Sequence, residues 1–380
     1  MRIERLNWTK STGWQRVTVQ VAAPKLVFYF GAREVLISGA QFFELKGLFP
    51  EAHILGCSTG GHIAENEVTD ANIVAVAMSF ANTELRVSST LIDPQVGSRV
   101  CGAKLGMDLN DADLAGVFLL SDGISVNGSE LIAGISSVIG NHVPITGGLA
   151  GDGSAFVETV VGVDAPPAPR IIAAVGFYGS AIRFGTGSAG GWDVFGPQRR
   201  ITRSMGNVLF EFDGKPALEL YERYLGEEAK DLPSSALLFP LKVFDPTGAS
   251  HGVVRTILAI DREAKSMTFA GDVPEGWTAQ LMRGNFEHLC VGAADAAKQA
   301  IAIGRPESSD MLALLVSCIG RRLLMGQRIS EELEAVGSIL GPKVMRVGFY
   351  SYGELCPQVE SGACELHNQT MTITTIAEAA

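Results

Sequence analysis

The chain reads as an α/β protein of the mixed α+β kind: two related mixed β-sheet domains packed together, with flanking helices. Three observations carry that reading. At 380 residues the chain exceeds what one hydrophobic core commonly organises, so two domains are the default. Short apolar runs alternate with helical patterns, and several of those runs empty into glycine-rich polar loops. The two halves also echo each other: LAGDG at 149 resembles FAGDV at 269, and VGFYGSA at 175 resembles VGFYSYG at 347.

In chain order, 16–30 reads as strand, turn, strand, and 40–49 as a short helix. A buried strand at 53–56 runs into GCSTGGHI at 56–63. Strands follow at 73–79 and 84–89, and a helix starts near 97. The apolar run 114–120 is a strand followed by SDG, 129–139 is helical, and 142–145 is a strand followed by GGLAGDG at 147–153. Loops of this kind at strand ends suggest one shared rim, with backbone N–H groups free to meet an anion. The segment 166–169 (PPAP) is a linker and 171–178 a buried strand. Past a composition shift near Lys215, 216–224 is an amphipathic helix with proline at its start. Strands are expected at 237–244, 253–260 and 266–270. A long helix starts at Asn285 and stops at Gly304. The run 311–318 is a strand ending in CIGRR, 331–340 a helix capped by Ser330, and 344–350 a strand. In the tail, Met371 and Ile373 alternate with Thr370, Thr372 and Thr374, the period of a half-buried strand. The division is then 20–220, 221–362 and a terminal strand and tail, 363–380.

A net charge of −11 argues against nucleic acid or an anionic membrane as partner. The N-terminus lacks a signal-like apolar run, and no stretch approaches the roughly 18 apolar residues of a membrane span, so a cytoplasmic protein is expected. The six cysteines, Cys57, Cys101, Cys290, Cys318, Cys356 and Cys364, are scattered and read as reduced, and no CxxC pair occurs.

Several motifs fail on context. GTGSAGGW at 185–192 matches G-x-G-x-x-G, but Gly196-Pro197 follows where a dinucleotide site needs a helix. GCSTG at 56–60 matches a nucleophile elbow, but paired glycines follow the serine where a helix should start. Ser58, His62 and Asp152 would make a triad only on paper, and no enzyme is expected. Asp108, Asp111 and Asp113 lack the glycine and closing glutamate of a calcium loop. Arg199, Arg200 and Arg203 suit a solvated face or carboxylate partners. Of the six histidines (His53, His62, His142, His251, His288 and His367), His53 and His142 read as strand-edge groups and His288 as surface or core filler, while His62 and His367 sit in ligand-like settings. Asn368 and Gln369 beside His367 could fix its tautomer. Cys356-Pro357 has the form of a haem thiolate pair, or of a plain loop break.

The ordered motifs GCSTGGHI, GGLAGDG, VRTILAIDREAKSMTFAGDVPEGW, LMRGN, SCIGRR, GFYSYGEL and ELHNQTMTIT resemble those of FIST-domain proteins from about 24 to 376. The first part is similar to the N-terminal FIST domain and the rest to the C-terminal one. Stand-alone members of this length resemble the NosP class of haem-binding nitric oxide sensors, which act in trans on a histidine kinase or a cyclic-di-GMP enzyme. That resemblance implies haem b held by His367 as iron ligand, with His62 and Cys356 behind it, and is compatible with a homodimer. The alternative is a sensor of a small metabolite such as an amino acid. It would use the rim residues Ser58, Thr59, Gly147, Gly148 and Asp152, with Arg321 as a carboxylate clamp.

Overall fold

The computed structural model describes residues 1–93, 95–247, 252–302, 310–358 and 362–379. The stop expected at Gly304 and the surroundings of His251 lie outside them. The fold is mixed α/β, with four sheets and eight α-helices among the described residues, arranged as two packed α+β bodies.

Three parallel strand pairs organise the larger body. Leu26–Gly31 pairs with His53–Ser58 across helix Ala40–Leu48. Leu114–Ser121 pairs with Ile145–Leu149 across helix Gly128–Ile139. Met311–Cys318 pairs with Val344–Ser351 across helices Ile319–Met325 and Ser330–Leu340. Parallel neighbours need a crossover of this kind. Each pair lies in a different six-stranded sheet.

The three sheets turn one face toward a common core. Phe28 and Phe30, Phe118 and Leu120, and Leu314, Val316 and Phe349 close a single cluster. Its aromatic contacts run between sheets, Phe28 to Phe118 at 5.0 Å and Phe30 to Phe349 at 4.9 Å. Each such ring contributes roughly 1.5–3 kcal/mol by leaving water. Helices cover the outer faces. Phe286–Ile301, capped by Asn285 Oδ1 accepting from Glu287 N at 3.0 Å, lays Ala293, Ala296 and Ala300 on the third sheet.

The smaller body is an all-antiparallel sheet running from Trp192–Met205 to Thr278–Gly284. Helix Ala217–Leu225 closes its core of Ile201, Leu209, Tyr221, Met267 and Leu281. Arg199 meets Asp213 at 3.2 Å and Arg203 meets Glu211 at 2.8 Å, so two of the three arginines of that cluster have carboxylate partners.

The sheets do not divide at 220/221 or at 362/363. One sheet contains Ile182–Ala189, Met371–Glu378, Met311–Cys318, Val344–Ser351 and His62–Ala64, so both ends of the chain build it together. The tail strand differs from the half-buried strand expected, because all its residues are buried. It lies between two neighbours with helix Phe286–Ile301 on one face and the central core on the other. On the threonine face Thr370 Oγ1 donates to Glu354 at 3.0 Å and Thr372 shares a hydrogen bond with Ser188 at 3.0 Å, while Thr374 Oγ1 is buried without a partner among the described residues; on the opposite face Thr375 Oγ1 donates to Ala300 O at 2.7 Å. Among the elements not foreseen are the N-terminal strand Arg2–Thr9, the strands Ile182–Ala189, Trp192–Met205, Val208–Phe212 and Thr278–Gly284, and the helix Ile319–Met325.

Candidate functional site

Strand ends from all three sheets meet at one rim. Ala32 and Arg33 follow the first strand of the first pair, and Thr59 follows its second. Asp152 and Gly153 lie just beyond Ile145–Leu149, and Ile319 and Arg322 beyond Met311–Cys318. Together they line a cavity of about 570 Å³. The C-terminal ends of parallel strands are where α/β sheets gather ligands. The two loops GCSTGG and GGLAGDG do share a rim, as their sequence suggests.

The chemistry of that rim differs from the expectation of free backbone donors. Gly60 N donates to Tyr350 O at 2.8 Å, Gly151 N to Ser58 O at 3.1 Å, and Ala150 N to Ser121 O at 2.7 Å. The loop N–H groups stitch the three sheets together and do not face outward. Charge comes from side chains instead. Arg322 holds Asp70 through two hydrogen bonds, at 2.6 and 2.7 Å, and also donates to Gly60 O. That pairing keeps the Asp70 carboxyl below its usual range and raises Arg322. Arg33 meets Glu158, its Nε at 3.1 Å. Glu34 and Asp152 complete a wall carrying both signs of charge.

The residues singled out from sequence divide by position. Thr59 and Asp152 line the cavity. The Thr59 hydroxyl accepts from Gly61 N at 3.2 Å. Asp152 accepts from Phe156 N, Val157 N and Glu158 N at 2.9, 2.8 and 3.0 Å and from the Tyr352 hydroxyl, so it shapes the loop that walls the site. Phe156 stacks on Tyr352 at 4.3 Å. Ser58 lies beneath the rim, buried, its Oγ accepting from Val160 N at 3.0 Å. His62 bonds Thr69, not Ser58, so Ser58, His62 and Asp152 do not assemble as a triad.

Gly147 and Gly148 belong to the buried strand Ile145–Leu149, not to the loop, and cannot touch a rim ligand. A Cβ on Gly147 would run into the Leu119 carbonyl, and one on Gly148 would lie 2.6 Å from Val316 Cγ1. These glycines permit close strand packing. Arg321 is no clamp either. It is fully buried, donating to Glu332 at 2.8 and 3.0 Å, to Gly190 O at 2.7 Å and to Leu289 O at 2.8 Å. Its neighbour Arg322, half-buried, is the one that lines the cavity. Ile319, Arg322, Leu323 and Gly326 share one helical face on the cavity, a spacing that would have indicated Arg322 had the helix been recognised.

The three residues considered for haem lie elsewhere. His367 ends strand Cys364–His367, half-buried, with Nε2 3.2 Å from the Cys356 carbonyl. Burial holds its imidazole down to about 4, with the carbonyl pulling the other way. Cys356 is buried, and burial pushes its thiol up to about 12, so it is no thiolate. His62 is buried with Nε2 2.9 Å from Thr69 Oγ1, and its Nδ1 has no partner. Burial brings it too down to about 4, Asp70 raising and Arg322 lowering it. Among the described residues no group of three or more His, Cys, Asp or Glu side chains is placed to hold a metal ion.

His62 and His367 set an acid limit. Their folded values lie below the 6.5 of an unfolded histidine, so their contribution is present above pH 6.5 and is lost as pH falls toward 4. Denaturant unfolding should find the protein about 2 kcal/mol less stable at pH 5 than at pH 8 for His62 alone. His62→Asn should flatten that slope; an unchanged slope would contradict the burial of a neutral imidazole.

Fold and site together define a mixed α/β protein with a charged cavity at convergent strand ends. The chain belongs to the FIST family: the FIST N domain model matches residues 25–215 and the FIST C domain model residues 217–357. FIST domains are signal-transduction sensor domains. An uncharacterised protein of Methanocaldococcus jannaschii is 24% identical over 353 residues, 83% of this chain and 66% of that relative, so the chain spans just under two thirds of the relative's length. A crystal structure of cyanuric acid hydrolase from A. caulinodans aligns over 100% of this chain and 99% of that one, with a TM-score of 0.41 and 9% identity, a likeness too low to transfer fold or activity. No helix among the described residues is long and apolar enough to cross a membrane.

Proposed function

We propose that the protein is a ligand-sensing signal-transduction protein whose rim cavity takes a small zwitterionic metabolite of the amino-acid kind. The observation that supports this most is the cavity of about 570 Å³ at the strand ends, walled by Arg33 and Arg322 on one side of the charge balance and by Glu34, Asp70 and Asp152 on the other. Arg322 is the carboxylate partner, exchanging Asp70 for the ligand. Because Asp70 follows the edge hairpin His62–Ala64 and Glu67–Thr69, that exchange loosens an edge of the sheet. A partner such as a histidine kinase or a cyclic-di-GMP enzyme then reads the loosened edge. Thermal unfolding across the twenty amino acids and common organic acids tests this: at least one should raise Tm in a saturable way, and none doing so would refute it.

Haem held by His367, with nitric oxide as the signal, is the second reading. One observation favours it: if Nε2–H donates to the Cys356 carbonyl, the tautomer leaves the Nδ1 lone pair for iron, the arrangement of many metal-ligating histidines. When bound, haem would supply an iron able to take a diatomic gas. It stands second because the cavity beside this strand is walled by Cys364, Glu365 and Leu366 but not by His367. An absorption scan with haemin, then reduction and nitric oxide, should show no stoichiometric Soret band that depends on His367. Such a band, lost in His367→Ala, would put this reading first.

A further inference from the structure

Away from the rim, a second cavity of about 400 Å³ opens where three parts of the chain meet. Helix Gly128–Ile139 forms one wall, the smaller body another, and strand Cys364–His367 the third. Ile132, Pro274, Trp277 and Leu366 make most of the surface apolar.

Within it lies a buried arginine that no carboxylate contacts among the described residues. Arg255 is only 7% exposed. Its Nε donates to Asp272 O at 2.8 Å, and its Nη1 to Leu366 O at 3.1 Å and Val254 O at 3.3 Å. Nη2 takes part in none of these bonds. The two carboxylates nearby are engaged otherwise: Asp272 Oδ1 accepts from Asn127 Nδ2 at 2.7 Å, and Glu365 from Gln358 Nε2 at 2.5 Å. Burial wins over both of them and brings the guanidinium down to about 10. Ser136, on the same wall, has its hydroxyl oxygen buried with no partner. A buried cation that no carboxylate touches and an orphan hydroxyl are each costly unless something completes them.

We propose that this cavity is a second ligand site, for a small carboxylate with an aromatic or similarly bulky apolar body. The carboxylate lies on Nη2 of Arg255, Ser136 Oγ supplies a further polar contact, and the body packs against Trp277 and Leu366. Pockets at junctions of this kind, mostly apolar with a few convergent polar groups, are the usual form of small-molecule sites. Because Arg255 also holds the Leu366 carbonyl, occupancy is tied to the strand that ends at His367.

Benzoate, with neutral benzamide of the same shape as control, probes this in the full chain by calorimetry and by quenching of Trp277 fluorescence. Benzoate should bind saturably at one site, with benzamide at least about tenfold weaker. Ala133→Leu fills the cavity from the helix without touching Arg255, and should weaken benzoate at least about tenfold while the protein stays folded. Arg255→Met should do the same, and if it fails to fold the Ala133 variant still decides. Trp277→Phe should remove the quench but not the heat. Rim variants should leave benzoate binding unchanged. Equal binding of benzoate and benzamide, undiminished binding in Ala133→Leu, or no saturable binding of benzoate at millimolar concentration would each overturn the proposal.

Discussion

Glu332→Ala should lower stability by about 3–5 kcal/mol in urea unfolding, the largest single-residue loss expected outside the aromatic core. Glu332 and Arg321 are both fully buried. One carboxylate oxygen takes the guanidinium at 2.8 and 3.0 Å, and the other accepts from Ser317 Oγ at 3.1 Å and the Tyr350 hydroxyl at 2.8 Å. Removing the carboxylate strands a charge where water does not reach, with two hydroxyls losing their acceptor. The pair itself need not be strongly stabilising, because desolvation offsets much of the attraction. The double replacement Arg321→Met with Glu332→Leu should therefore recover part of the loss. A single-mutant loss below about 1 kcal/mol would mean that water reaches the pair.

The second large effect concerns binding. Arg322→Ala should weaken the rim metabolite at least about tenfold, because a bidentate guanidinium contact is lost from a partly desolvated site. Stability should change by only about 1 kcal/mol or less, since its partner Asp70 is 64% exposed and solvent screens the pair. Affinity and stability thus separate at Arg322. Asp70→Asn should tighten metabolite binding, because the competing carboxylate is removed. Weaker binding in that variant would mean that Asp70 holds the ligand and does not yield to it.

Apolar runs gave most strands of the larger body, since a buried strand is written in its own residues. The tail alternation gave the right strand but the wrong burial. Threonine can occupy a buried face when a group such as the Ser188 hydroxyl lies opposite, as it does for Thr372, and a partner so distant in sequence leaves no local mark. The rim was visible in GCSTGG and GGLAGDG because glycine loops after apolar runs announce strand ends. Its charge was not visible. Which of two adjacent arginines faces the cavity depends on helix Ile319–Met325 and on Glu332, which claims Arg321. Arg33 and Asp70 meet the cavity only through the tertiary packing of separate sheets. Gly147 and Gly148 look like loop residues by composition, yet they are strand residues because the neighbouring backbone at Leu119 leaves no room for a side chain.

The most direct test of the rim as the sensing site is a crystal structure of the full chain with the metabolite that raises its Tm. The ligand carboxylate should lie within ~3 Å of the Arg322 guanidinium, between Thr59 and the 152–155 loop, with Asp70 displaced. A ligand found elsewhere, with the Arg322–Asp70 pair intact, would contradict the account.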